Sequence, residues 1–201
     1  MGNAVYNIFP TLIHWIEIEN FSSHQEELLS FAHEERRRDP QGEKKSNEGG
    51  WQSRNNLHDG ENILRDYICT EVNRYLKTVL TDEAEVLLKG LWINYNERGD
   101  SNTLHTHPAS HLAGVLWLKV PSMHAAKLWF DSPHFYTNYP EISSYTEEFK
   151  KKWNQYLDWF WNPKEGVMLL FPSSVYHKVD VSESDESRIS CSFNLNFKEK
   201  W

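Results

Sequence analysis

The chain has 201 residues, with 21 Lys plus Arg against 29 Asp plus Glu and a formal charge of −8; that length suits one domain able to bury a core without staples. The acidic balance argues against non-specific binding to nucleic acid or to anionic membrane. No apolar run approaches the roughly 20 residues of a membrane span, and 9 Trp, 9 Tyr and 10 Phe exclude a disordered chain.

In chain order, Met1 to Pro10 lacks a basic start followed by an apolar stretch, so no secretory signal is read. Cys69 and Cys191 are the only cysteines, which points to a reducing, cytoplasmic setting. Residues 1–88 read as a mostly helical N-terminal part of a single domain spanning 1–201. Leu12, Ile13, Trp15, Ile16 and Ile18 form an extended apolar opening. Ser22 and Ser23 are placed to cap a helix over His24 to Arg37, with Glu26 completing a capping box. Asp39 to Gly50, carrying Pro40, Gly42, Gly49 and Gly50, reads as a loop. Apolar positions from Ile63 to Val79 predict a helix over Glu61 to Leu80.

Beyond residue 88 the texture becomes short apolar runs broken by turn residues. Strands are predicted near 88–96, 112–120, 126–131, 167–171, 174–181 and 187–197. That pattern favours an antiparallel sandwich or barrel. An aromatic insertion, about 133–163, interrupts it; Tyr136 and Tyr139 fall here, and Ser143 to Asp158 reads as helical. The insertion is either packed decoration or a lid over a pocket.

Two sites stand out. In Leu104-His105-Thr106-His107-Pro108, residues i and i+2 of a strand point to one face, so His105 and His107 can grip one metal ion from one side. His177 is the candidate third ligand, on a face shared with Val175, Val179 and Val181. Alone, a histidine on an apolar face is more often a core residue than a ligand. His111 competes for the third position; His14, His24, His33, His58, His124 and His134 have no motif partner, and Asp131 reads as a turn residue. Eleven residues after His177, Arg188 opens a run in which Arg188, Ser190, Ser192 and Asn194 alternate with apolar Ile189, Cys191, Phe193 and Leu195. The polar row is either solvated or lines a polar cavity. Arg can hold a carboxylate through two parallel hydrogen bonds, with a serine two residues on adding a donor.

The order of these motifs resembles the Fe(II)/2-oxoglutarate-dependent oxygenases. More closely it resembles a group of 2OG-Fe(II) oxygenases sharing a Phe-Pro opening, Gly-Gly-Trp-Gln-Ser, His-x-His-Pro, Ser-Gly-Val-Tyr-Tyr and Phe-Pro-Ser…His…Arg-Ile-Ser…Phe-Asn. Here the matching residues are Phe9-Pro10, Gly49-Gly50-Trp51-Gln52-Ser53, His105-Thr106-His107-Pro108, Ala113-Gly114-Val115-Leu116-Trp117, Phe171-Pro172-Ser173 and Arg188-Ile189-Ser190 through Phe193-Asn194. The resemblance implies a mainly β fold with flanking helices, a double-stranded β-helix or jelly-roll core. It implies Fe(II) on His105, His107 and His177, and 2-oxoglutarate as cosubstrate on Arg188 and Ser190, with Tyr95 or Asn94 adding a hydrogen bond. It implies hydroxylation coupled to decarboxylation of 2-oxoglutarate to succinate.

One departure bears on chemistry. The common facial triad is two His and one carboxylate, and His107 stands where the acid would be. A neutral third ligand leaves the metal charge to be offset by the dianionic cosubstrate, and three histidines also suit Zn²⁺. Two other readings are a three-His cupin-type iron dioxygenase without 2-oxoglutarate, and a non-catalytic metal-binding β domain. The residues name no substrate; the acidic balance suits a basic protein or peptide, or a small molecule.

Overall fold

The computed structural model describes residues 3–134 and 139–198, with Tyr139 and Pro140 described for their backbone alone. The elements in order are β1 (His14–Glu17), α1 (Ser22–Arg38), β2 (Asn47–Glu48), β3 (Trp51–Gln52), α2 (Ile63–Leu76), β4 (Val86–Asn96), β5 (Ser101–His105), β6 (Leu112–Lys119), β7 (Leu128–Asp131), α3 (Tyr139–Ser144), α4 (Glu147–Trp153), β8 (Asp158–Trp161), β9 (Val167–Pro172), β10 (His177–Val179) and β11 (Arg188–Phe197). Two antiparallel sheets face each other. The larger runs β1-β9-β6-β11-β4-β3 and the smaller β2-β5-β10-β7-β8.

Helix α2 forms where the apolar stripe predicts it, because Leu64, Ile68, Val72 and Leu76 recur at helical spacing and are all buried. Asn62 caps it, its side chain accepting from the Arg65 amide at 2.9 Å. The helix stops at Leu76, four residues before the predicted end. Helix α1 differs from expectation at its start. Phe21 occupies the cap position without a side-chain bond, and the Ser23 hydroxyl donates to the Asn20 carbonyl at 2.7 Å, so no capping box forms.

The larger sheet is buried on both faces. Its outer face packs Leu91, Ile93, Leu116, Leu118, Ile189, Cys191 and Phe193 against Leu28 and Ala32 of α1 and the stripe of α2. Its inner face joins Ala113, Val115, Trp117, Leu169 and Phe171 to Leu128, Phe130 and Val175 on the smaller-sheet side. Strands β6 and β9 divide these two cores, sending alternate residues to each, while β11, paired with β4 on one side and β6 on the other, gives its apolar row to the outer core alone. The chain crosses between the sheets at Gly49-Gly50, which separates β2 of one from β3 of the other. Both glycines have positive φ, +67° and +58°, and a Cβ at Gly50 would stand 2.7 Å from the Tyr95 carbonyl oxygen.

The aromatic insertion is not one helix. It holds the two short helices α3 and α4 and then the strand β8, which pairs with β7 and places Trp159 opposite Phe130. Tyr136 and the side chain of Tyr139 lie outside the described residues. No described helix is long and apolar enough to cross a membrane.

Candidate metal centre

Strand β10 is short, but its register places His177 directly opposite His105 on β5. The two ring centroids are 4.3 Å apart. Strand β5 ends at His105, so His107 does not continue the same strand as predicted. It reaches the same point from the following segment, fixed by its amide bonding to the Ser173 carbonyl at 2.9 Å. Ser173 in turn donates its hydroxyl to the Ser110 carbonyl, which ties the Phe-Pro-Ser turn to the histidine segment. One nitrogen from each of the three rings lies within 4.8 Å of the others, and no other cluster of this kind occurs among the described residues.

The orientation of each ring has a cause. His177 Nδ1 lies 2.9 Å from the Val175 carbonyl, and His105 Nδ1 lies 2.7 Å from the Thr103 carbonyl. A carbonyl oxygen only accepts, so both Nδ1 atoms carry the proton and both Nε2 atoms present a lone pair. His107 stacks on Trp92 with centroids 5.5 Å apart and planes 22° from parallel. The Asn194 side chain lies close enough to His107 to offset slightly the lowering of its proton affinity, and Asn194 Oδ1 is buried without a hydrogen-bond partner among the described residues. His107 Nε2 stands 3.1 Å from His177 Nε2. Two imidazole nitrogens bound at about 2.1 Å to one cation at near-right angles would be roughly 3.0 Å apart. The donor set therefore fits a single metal ion.

Burial keeps the three rings neutral. It is the main cause that pushes His177 down to about 3 and His107 down to about 4, with His105 nearby lowering both further. His105 is lowered by burial as well. Neutral imidazole is the form that binds metal.

The histidines line one side of a cleft of about 450 Å³. The polar row of β11 lines the other, with Arg188 and Ser190 only 2 % and 1 % exposed. This row is thus not a solvated sheet face. Arg188 Nη1 donates to Asn96 Oδ1 at 3.0 Å, Nε has no partner among the described residues, and the guanidinium stands 6.0 Å from the centre of the Trp117 ring. Among the described residues no carboxylate pairs with it. Burial lowers its proton affinity to about 10, so it remains a cation at neutral pH. A buried cation with one hydrogen bond and spare donors is built to receive an anion.

Asn94 lines the same cleft and donates to Ser192 Oγ at 3.1 Å. Tyr95 does not. It points to the opposite face of β4, where its hydroxyl meets His33 Nδ1 at 2.9 Å and the Arg36 guanidinium sits 4.7 Å over its ring. Strand alternation gives the reason: Asn96 opposes Arg188 and shares its face, so Asn94 and Trp92 do too, and Tyr95 cannot. His111 is likewise apart, its Nδ1 accepting from the Phe197 amide at 2.9 Å. Val181, expected on the His177 face, is 58 % exposed and lies beyond β10. Sequence reasoning missed Trp92 and Asn102 as cleft groups and Asn96 as the buried partner of Arg188. The direct pairing of Asn96 with Arg188 was available from alternation once the register of the two strands was known.

The comparisons agree with this geometry. No curated protein sequence matches the chain. Among solved structures, a viral collagen prolyl hydroxylase from Paramecium Bursaria Chlorella virus-1, crystallised with 2OG, aligns over 91 % of this chain and 94 % of its own at 13 % identity and TM-score 0.58. A Pseudomonas putida prolyl-4-hydroxylase aligns over 95 % and 94 % at 13 % identity and TM-score 0.57. HygX from Streptomyces hygroscopicus, crystallised with nickel, 2-oxoglutarate and hygromycin B, aligns over 92 % and 83 % at 8 % identity and TM-score 0.65. These likenesses establish the double-stranded β-helix fold. A family profile described as "Putative 2OG-Fe(II) oxygenase" matches residues 90–194, more than half of the chain and all of the cleft-forming strands from the middle of β4 through Asn194 of β11. The chain belongs to that family of Fe(II)- and 2-oxoglutarate-dependent oxygenases.

Proposed function

We propose that His105, His107 and His177 hold Fe(II) through Nε2, and that Arg188 and Ser190 receive the distal carboxylate of 2-oxoglutarate. The observation that carries this reading is the buried, carboxylate-free guanidinium of Arg188 in the same cleft as three neutral, converging imidazoles. When bound, the metal and cosubstrate supply the oxidising chemistry: O₂ and 2-oxoglutarate yield succinate and CO₂, and one oxygen atom enters a C–H bond of the substrate. The protein contributes placement. Backbone carbonyls of Thr103 and Val175 fix two imidazoles in the metal-binding tautomer. Trp92 holds the third ring by stacking. Val115, Leu128, Phe171 and Val179 give the cleft apolar walls that keep water from the reacting centre. Asn94 is the second candidate donor to the cosubstrate.

Arg188 also weighs against the three-His dioxygenase that works without 2-oxoglutarate, because a substrate chelating the metal alone leaves that guanidinium without an anion. A reducing, cytoplasmic setting belongs to the same proposal and rests on the two free cysteines, Cys69 half-buried and Cys191 buried. The test is succinate release from 2-oxoglutarate by the iron-loaded chain. It should require Fe(II) and be lost in His177→Ala. Iron-independent release, or full release by that variant, overturns the proposal.

A further inference from the structure

Arg188 does not stand alone in the cleft. It begins a run of hydrogen bonds that leaves the larger sheet, crosses to the smaller one and ends on a candidate metal ligand. Arg188 Nη1 donates to Asn96 Oδ1 at 3.0 Å. Asn96 Nδ2 donates to Asn102 Oδ1 at 3.3 Å, and Asn102 Nδ2 donates to Ser46 Oγ at 3.3 Å. The Ser46 carbonyl then receives the Thr103 amide at 2.8 Å and the Thr103 hydroxyl at 3.2 Å. The Thr103 carbonyl receives His105 Nδ1 at 2.7 Å.

The direction of this run is fixed by chemistry. A guanidinium can only donate, so Asn96 must turn its oxygen to Arg188 and its NH₂ to Asn102. Asn102 must then turn its oxygen to Asn96 and its NH₂ to Ser46. Both asparagines are buried, at 1 % and 9 % exposure, where an unmatched amide is costly. Asn96 is therefore not free to flip without breaking two bonds, and Asn102 not without losing its bond to Asn96. Ser46 lies in the segment Glu43–Glu48, whose neighbouring Lys45 lines the cleft. Strand β2 of that segment rests on β5, with Asn47 opposite Asn102.

We infer that Asn96 and Asn102 are positioning residues for the cosubstrate, and that through Ser46 they couple arrival of its carboxylate at Arg188 to the order of the Glu43–Glu48 wall. This rests on the reading of Arg188 as the 2-oxoglutarate anchor. A carboxylate on the guanidinium pins the first group of the run. Each amide behind it then has one fewer alternative arrangement, and the wall bearing Lys45 is held more firmly.

The experiment uses the full chain loaded with redox-inert Zn(II), and follows amide hydrogen exchange across residues 43–49 with and without 2-oxoglutarate, alongside the 2-oxoglutarate dissociation constant. In the parent, 2-oxoglutarate should slow exchange in this segment. Ser46→Ala removes only the hydroxyl, leaves the backbone bonds to Thr103 in place, and should abolish that protection. Asn102→Ala should abolish it and weaken 2-oxoglutarate about tenfold, the effect of one lost buried hydrogen bond. Unchanged exchange on binding in the parent, or protection retained in both variants, overturns the coupling. If instead Arg188→Met binds 2-oxoglutarate as the parent does, the anchor assignment itself falls. The two failures are therefore read from different proteins.

Discussion

Replacing Arg188 by Met should make the ligand-free protein more stable while removing its affinity for 2-oxoglutarate. The guanidinium is 2 % exposed and, among the described residues, has one hydrogen bond and no carboxylate. Burial takes its proton affinity from 12.5 to about 10. Both values lie far above 7, so the side chain is charged in folded and unfolded chains alike and the cost of burying that charge stands in full at neutral pH. At about 1.4 kcal/mol per factor of ten, the cost is on the order of 3 kcal/mol. Met fills much of the same volume without a charge. It leaves Asn96 Oδ1 unmatched, which returns about 1 kcal/mol. The net gain of about 2 kcal/mol corresponds, for a chain of this size, to a melting temperature higher by roughly 4–8 °C. Binding moves the other way. Truncating one partner of a buried charge pair costs about 2–5 kcal/mol, a dissociation constant raised roughly 30-fold to several thousand-fold. Calorimetric melting of Zn(II)-loaded parent and variant, each with and without 2-oxoglutarate, reads both effects. A variant that melts below the parent without 2-oxoglutarate, or gains as much from it as the parent does, refutes the reasoning.

Three further outcomes concern the core and the histidines. Gly114→Ala should destabilise the fold by about 1–3 kcal/mol, a fall of roughly 2–12 °C in Tm, because its Cβ would stand 2.3 Å from the fully buried Phe193 ring and 2.9 Å from Leu170; thermal melting checks it, and an unchanged Tm shows that the ring can yield. His107 and His177 hold values of about 4 and about 3 in the fold, below the usual 6.5. Between pH 6.5 and 4 the unfolded chain therefore binds protons that the native metal-free chain does not, and stability should fall as pH drops through that window. For the same reason Zn(II) binding at pH 7 should release almost no protons from these rings. Titration calorimetry in buffers of different ionisation enthalpy measures that number, and release near one proton per histidine contradicts it.

The parts of the fold that were legible in the sequence are those where one face is apolar and the other polar. The alternation from Arg188 to Leu195 separates a core row from a cleft row, and the structure keeps that separation. The stripe of α2 was legible for the same reason. Strand β5 was not, because Ser101-Asn102-Thr103 shows no apolar alternation; its buried member is an asparagine held by hydrogen bonds. Strand β8 was hidden in the insertion because Trp159-Phe160-Trp161 is aromatic on both faces and carries no period. Tyr95 and Asn94 stood as alternatives because Leu91 to Asn96 is buried on both faces, so the sequence alone does not fix the parity of β4. The histidine trio was legible as a set of residue types. Its convergence depends on the pairing of His177 with His105 and on the Ser173 carbonyl that turns His107 inward, both contacts between distant segments.

Strand β11 works as a partition, with a greasy wall toward the helices and a reactive wall toward the cleft. A slip of one residue would press the guanidinium into hydrocarbon and hang Phe193 over the metal. Misthreaded chains are thus not merely inactive. They are also unable to persist as folded molecules, so proofreading of the catalytic apparatus comes from the folding equilibrium itself.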